Sequence, residues 1–152
     1  MSVGAFRVAC TGACLAMVAS CAGSVERATF QIPGSSAAVS IERRSTRGVL
    51  AEYRRRVVLE CGNQSPRRLD LFPDSGEYAR VKLFKEDERK ALLRDVDARH
   101  TIDLGTCAVS KDEGQRRAGT FIGSFDVDES DAWRFISAQE RRELPTEFRS
   151  GP

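Results

Sequence analysis

The chain has 152 residues, with 24 lysines and arginines against 22 aspartates and glutamates, one histidine and five cysteines. A formal net charge of +2 is no footprint for nucleic acid, which needs a strong basic bias on one face, so no nucleic-acid partner is expected. The stretch after residue 20, about 130 residues, is enough for one domain with its own core.

Arg7 is the only charge before residues 8–20, an uncharged and mostly small or apolar run. A helix needs about 20 apolar residues to cross a bilayer, so this run is too short for a permanent span. A basic start, a short apolar core and small residues at the exit are the layout of a secretory signal peptide. The exit is Val18-Ala19-Ser20-Cys21, and it resembles the bacterial lipobox: an aliphatic residue, two small residues, then the cysteine that is lipidated. The resemblance implies that residues 1–20 are removed and that Cys21 becomes the mature N-terminus, carrying thioether-linked diacylglycerol and further acyl chains such as palmitate. Two or more chains, at about 0.8 kcal/mol per buried CH2, hold a protein stably in a membrane. Residues 21–27 then read as the lipidated cysteine and a short tether, and the domain faces the periplasm. Ala22, where aspartate would signal retention, implies the outer membrane. The plainer alternative is an ordinary secreted protein cut after Ala22, since Ser20-Cys21-Ala22 is also a small-x-small site.

Cys10 and Cys14 leave with the signal and Cys21 is assigned to lipid, which leaves Cys61 and Cys107. An even remainder in an exported protein predicts a disulfide; two buried thiols are the alternative. There is no CxxC and only one histidine, so neither a metal nor any cofactor beyond the lipid is expected.

In chain order, Ala28–Ile32 alternates Ala28, Phe30 and Ile32 against Thr29 and Gln31, a strand closed by Pro33-Gly34. Ala37, Val39 and Ile41 share the face of a second strand. Val49–Cys61 fits both a helical stripe (Val49, Leu50, Tyr53, Val57) and a strand with Tyr53, Arg55, Val57, Leu59 and Cys61 on one face. The β-branched pair Val57-Val58 and the Cys61-Gly62-Asn63 turn favour strand. Leu69–Phe72 is a short run before the turn signal Pro73-Asp74-Ser75-Gly76. Tyr78–Phe84 alternates through Ala79, Val81 and Leu83. The charged stretch Lys85–Asp95 reads as a short helix across one end of the sheet. His100, Ile102 and Leu104 share a strand face before a turn at Gly105. Thr120–Val127 is a strand in which Gly123 marks a close approach by another group. From Asp128, acidic residues followed by Ala132, Phe135, Ile136 and Leu144 predict a terminal helix that Pro145 stops.

These elements predict a mainly β domain over residues 28–145: a small β-sandwich or antiparallel meander of about six to seven short strands with a C-terminal helix, and a tail at 146–152.

Three groups carry candidate chemistry. His100 with Asp95 and Asp97 is a conceivable acid–base set, but no nucleophile motif accompanies it. Asp126–Asp131 is acidic, yet a calcium loop needs glycine at its sixth position and a bidentate glutamate at its twelfth, where this chain has Asp131 and Ser137. The arginine groups Arg54–Arg56, Arg67-Arg68, Arg116-Arg117 and Arg141-Arg142 suit anionic headgroups, though acids and apolar residues interleave them. The expectation is a membrane-anchored envelope lipoprotein with a binding or structural role, no enzymatic activity and an envelope protein partner. Two alternatives stay open. One is an outer-membrane tether of a secretion machine: size, lipobox and strand count are similar to the small β-sandwich lipoproteins of type VI systems, with Tyr78–Phe84 as a mid-domain strand. The other is an envelope hydrolase using His100.

Overall fold

The computed structural model describes residues 24–46, 52–74, 80–96, 98–112 and 119–143. The lipobox and Cys21, together with Asp97, Arg116-Arg117 and Leu144, lie outside the described residues.

Among the described residues, ten strands form two antiparallel sheets. The first holds β1 (Val25–Gln31), β2 (Ala37–Thr46), β3 (Glu52–Cys61) and β4 (Arg67–Asp70) in sequence order. The second holds β5 (Val81–Lys85), β6 (Lys90–Arg94), β7 (Arg99–Asp103), β8 (Ala108–Lys111), β9 (Thr120–Val127) and β10 (Trp133–Ser137), in the order β10-β9-β5-β6-β7-β8. A short helix, α1 (Ala138–Glu143), ends the described chain. The architecture is sandwich-like and mainly β.

Period-2 alternation builds the core. Val39 and Ile41 of β2, and Val57 and Leu59 of β3, meet Val81, Leu83, Leu93, Ile102, Phe125 and Trp133 of the other sheet. All are buried. The strand reading of Val49–Cys61 is borne out over Glu52–Cys61, whose full length pairs with β2. Gly123 is where the close approach falls. A Cβ there would lie 2.5 Å from the Ile136 carbonyl oxygen and 2.8 Å from Cε1 of Phe135, so only glycine lets the Phe135 ring cross β9 to reach Phe125 and Phe30.

Three local readings are corrected. Lys85–Asp95 is no helix but the β5–β6 hairpin: the Asp87 carboxylate accepts from the Arg89 and Lys90 amides, both at 2.7 Å, and closes the turn. Asp128 caps no helix. Its carboxylate takes the Ser130 amide at 2.9 Å and the Ser130 hydroxyl at 2.7 Å, the Ala132 amide at 3.1 Å and Arg134 Nε at 2.6 Å, organising the β9–β10 turn. These bonds, the Ser130 hydroxyl foremost and then Arg134, hold the Asp128 carboxyl well below the usual carboxylate range. Trp133 and Phe135 then continue as strand, paired with Val127 and Phe125, and the helix starts only at Ala138. Its cap is Ser137, whose hydroxyl accepts the Glu140 amide at 3.1 Å while Glu140 returns to the Ser137 amide at 3.2 Å, a capping box. Finally, β1 begins at Val25, inside the segment expected to be tether. Ten strands rather than six or seven follow from these changes and from β8, a four-residue, largely exposed edge strand too short to show alternation.

Antiparallel pairing gives the sandwich two ends. One, termed the base, gathers the start of β1, the end of β2, the start of β3, the end of β6, the start of β7, the end of β9 and the start of β10. The other, the tip, gathers the β1–β2, β3–β4, β5–β6 and β7–β8 turns. With ten residues in β3, the two ends stand about 33 Å apart.

Candidate functional site

Cys61 at the end of β3 and Cys107 in the β7–β8 turn are bonded across the two sheets at the tip, with Cα atoms 6.0 Å apart. The turn that presents Cys107 is shaped by Asp103, whose carboxylate accepts from the Gly105 amide at 2.9 Å and the Thr106 amide at 3.0 Å. Cys107 itself takes a left-handed conformation, with φ of 51°.

The base has its own inter-sheet link, made of charge. Arg55 lies on the core face of β3 beside Val57 and Leu59, and its guanidinium grips Asp95 with both Nη atoms at 3.0 Å. Both side chains are almost wholly buried. Arg55 Nη2 also donates to the Phe72 carbonyl at 3.0 Å, and Asp95 Oδ1 accepts the Val96 amide at 2.9 Å. The pair is thereby tied to two backbone segments of the base. Removing water from two charges costs several kcal/mol per ion, and bidentate geometry with extra hydrogen bonds is what offsets it.

Beside this pair, Arg43 is buried between two rings, its Cζ 4.6 Å from the centroids of both Tyr53 and Trp133. Glu26 accepts from its Nε at 2.5 Å. Trp133 in turn donates to the Ile41 carbonyl at 3.0 Å, which ties β10 to β2. A cation between two aromatic faces is favourable where desolvated.

His100 falls on the core face of β7 and is buried. Burial pushes its imidazole pKa down; Asp95 opposes the shift and Lys111 adds to it. Its Nδ1 has no hydrogen-bond partner among the described residues. Asp95, one of the two carboxylates that the sequence offers as a partner for it, is held by Arg55. The arrangement is that of a neutral, packed histidine. Because its folded pKa lies below the ordinary 6.5, the unfolded chain takes up a proton that the folded one refuses. His100 therefore costs no stability above that value and lowers stability progressively as pH falls below it, by at most about 1.4 kcal/mol per pH unit. Urea midpoints taken between about pH 7 and pH 5.5 should fall with acidity in the unsubstituted protein and hold steadier in His100→Leu; equal slopes would show that His100 contributes nothing.

Among the described residues, the arginine groups do not form one basic patch. Strand alternation sends Arg55 into the core while Arg54 and Arg56 point outward, where Arg56 meets Asp70 at 2.7 Å. Arg141 donates to the Ser124 hydroxyl at 2.8 Å and also to Asp126 Oδ2, the same oxygen that accepts from Arg80 Nε at 2.7 Å. On the outer face of the four-stranded sheet, Arg27 pairs with Glu60 at 2.9 Å. The acidic residues of 126–131 are partly engaged the same way, Asp126 with Arg80 and Arg141 and Asp128 with Arg134. Among the described residues, no group of three His, Cys, Asp or Glu is placed to hold a metal ion.

Sequence reasoning missed the Arg55–Asp95 pair and the Arg43 sandwich. A signal for the first exists: an arginine sharing a strand face with Val57 and Leu59 needs a buried anion, whereas Asp95 in sequence stands out only as a companion of His100. Compared with known proteins, the chain matches no family model, no curated protein and no solved structure.

Proposed function

We propose that the protein is a membrane-anchored envelope lipoprotein, in which Cys21 carries the lipid and the β-sandwich is a non-enzymatic binding or structural domain on the periplasmic side. The observation that supports this reading is the assignment of the cysteines. Two belong to the signal, one to the lipid, and the two left over are the pair that meets across the sheets at 6.0 Å. A disulfide of that kind suits an oxidising compartment. The covalent and ionic links between the sheets and the buried, neutral His100 suit a rigid scaffold better than acid–base chemistry. The Ala22 position favours the outer membrane.

The test is the intact mass of the protein extracted from membranes, with and without reduction. The expected mass lacks residues 1–20, carries a diacylglyceryl group and at least one further acyl chain, and gains two hydrogens on reduction. An unmodified chain beginning at Gly23 would establish ordinary secretion instead.

A further inference from the structure

Among the described residues, three large apolar side chains are exposed: Val25 at 47%, Phe72 at 56% and Val96 at 58%. All three lie at the base. Val25 opens β1 and pairs with Arg44 near the end of β2. Phe72 follows β4, between Leu71, whose amide bonds the Arg55 carbonyl, and Asp74, which bridges Tyr53. Val96 sits in the β6–β7 turn. The tip, with its four turns, has no exposed large apolar residue among those described. Scattered apolar exposure is ordinary, but all of it at one end of a sandwich is not what scatter produces.

The base is also where the chain arrives. Cys21 precedes Val25 by four residues, and four residues span at most about 14 Å. A headgroup layer occupies roughly 5–8 Å on each side of the hydrocarbon. An acyl anchor on Cys21 thus leaves at most about 6–9 Å between Val25 and the headgroups. From this distance, and from the placement of the three apolar side chains, we infer that the base is a membrane-contact face: Val25, Phe72 and Val96 rest in the interface of the bilayer that holds Cys21, and the sandwich stands upright on it. The inference rests on the lipoprotein reading.

Two features fit that occupant. Arg44, Arg54 and Arg94 are exposed at the strand ends of the base, and none joins an ion pair among the described residues. Arginines around an apolar contact place their guanidinium groups at headgroup level while their stems cover apolar surface. The Arg55–Asp95 pair holds the Phe72 carbonyl and the Val96 amide, so two of the three apolar side chains project from backbone fixed by a buried bond network. The β9–β10 turn at this end carries exposed Glu129 and Asp131, so net charge does not drive the contact. The apolar side chains and the short tether do.

The experiment uses the full chain extracted with its lipid and reconstituted into vesicles of phosphatidylethanolamine with a minor share of phosphatidylglycerol, the acyl chains brominated. Phe72→Trp, Val96→Trp and, at the tip, Gln64→Trp each add one exposed fluorophore to the buried Trp133. Bromine should quench most of the emission added by Phe72→Trp and Val96→Trp and leave that of Gln64→Trp intact. Equal quenching at all three, or none at any, in protein that sediments with the vesicles overturns the upright placement while the anchor stands. If Cys21 is unmodified yet Phe72→Trp and Val96→Trp are quenched, the contact face holds and the anchor fails. An unmodified chain that stays in solution overturns both.

Discussion

Arg55→Met should destabilise the domain by about 3–5 kcal/mol, because it leaves Asp95 charged, buried and without its bidentate partner. Against a typical stability of about 5–15 kcal/mol, that is a fifth of the whole or more. The cause is the orphaned carboxylate rather than the lost attraction, and a second variant separates the two. Arg55→Met combined with Asp95→Leu removes both charges and their desolvation cost, and should recover most of the loss. Urea unfolding followed by Trp133 fluorescence measures both variants, and a double variant no more stable than Arg55→Met would show that the pair itself holds the sheets. Either result bears on the base, since Phe72 and Val96 are positioned by hydrogen bonds to this pair.

Replacing Cys61 and Cys107 together by alanine should cost about 4 kcal/mol, the loop-closure entropy expected for a bridge across a sequence separation of 46 residues. The comparison is of urea midpoints for the unsubstituted protein, oxidised and reduced, and the double alanine variant. Reduction and double substitution should lower the midpoint alike, and no change on reduction would mean that the tip is held by packing alone. Arg55 and Cys61 lie six positions apart on β3, about 20 Å. At that distance the two effects should add, so Arg55→Met in a chain that also lacks the disulfide should lose about 7–9 kcal/mol and be unfolded or close to it.

The fold class was legible in the sequence because a two-residue period shows wherever one strand face is buried. Val39-Ile41 and Val57-Leu59 announce themselves in this way, and the same logic made Gly123 readable as a close approach. The errors fall where local propensity and tertiary pairing disagree. The carboxylates Asp128, Glu129 and Asp131 before an apolar group look like a helix start, but Asp128 closes a turn equally well, and pairing with β9 decides for Trp133–Ser137. Ser137 and Glu140 are the better helix signal, the two ends of a capping box easily passed over inside a longer apparent stripe. At the site, the disulfide pair was readable by elimination among the cysteines. The base was not, because it depends on which strand ends share one end of the sandwich: Val25, Phe72 and Val96 are far apart in sequence and unremarked individually.

The order β10-β9-β5-β6-β7-β8 has one further consequence, for the time at which the domain becomes whole. Every other strand neighbour is adjacent in sequence, so the four-stranded sheet and the β5–β8 run can assemble as successive hairpins while the chain emerges. Only β5 must wait, for a partner that begins at Thr120. Until then its outer backbone groups are bare, and an unpaired strand edge is a template for pairing with another chain. A chain stalled or cut between Asp112 and Gly119 would keep both halves of its disulfide and the Arg55–Asp95 pair, yet lack β9 and β10. It should therefore be recognisable not by lost cross-links but by its tendency to aggregate.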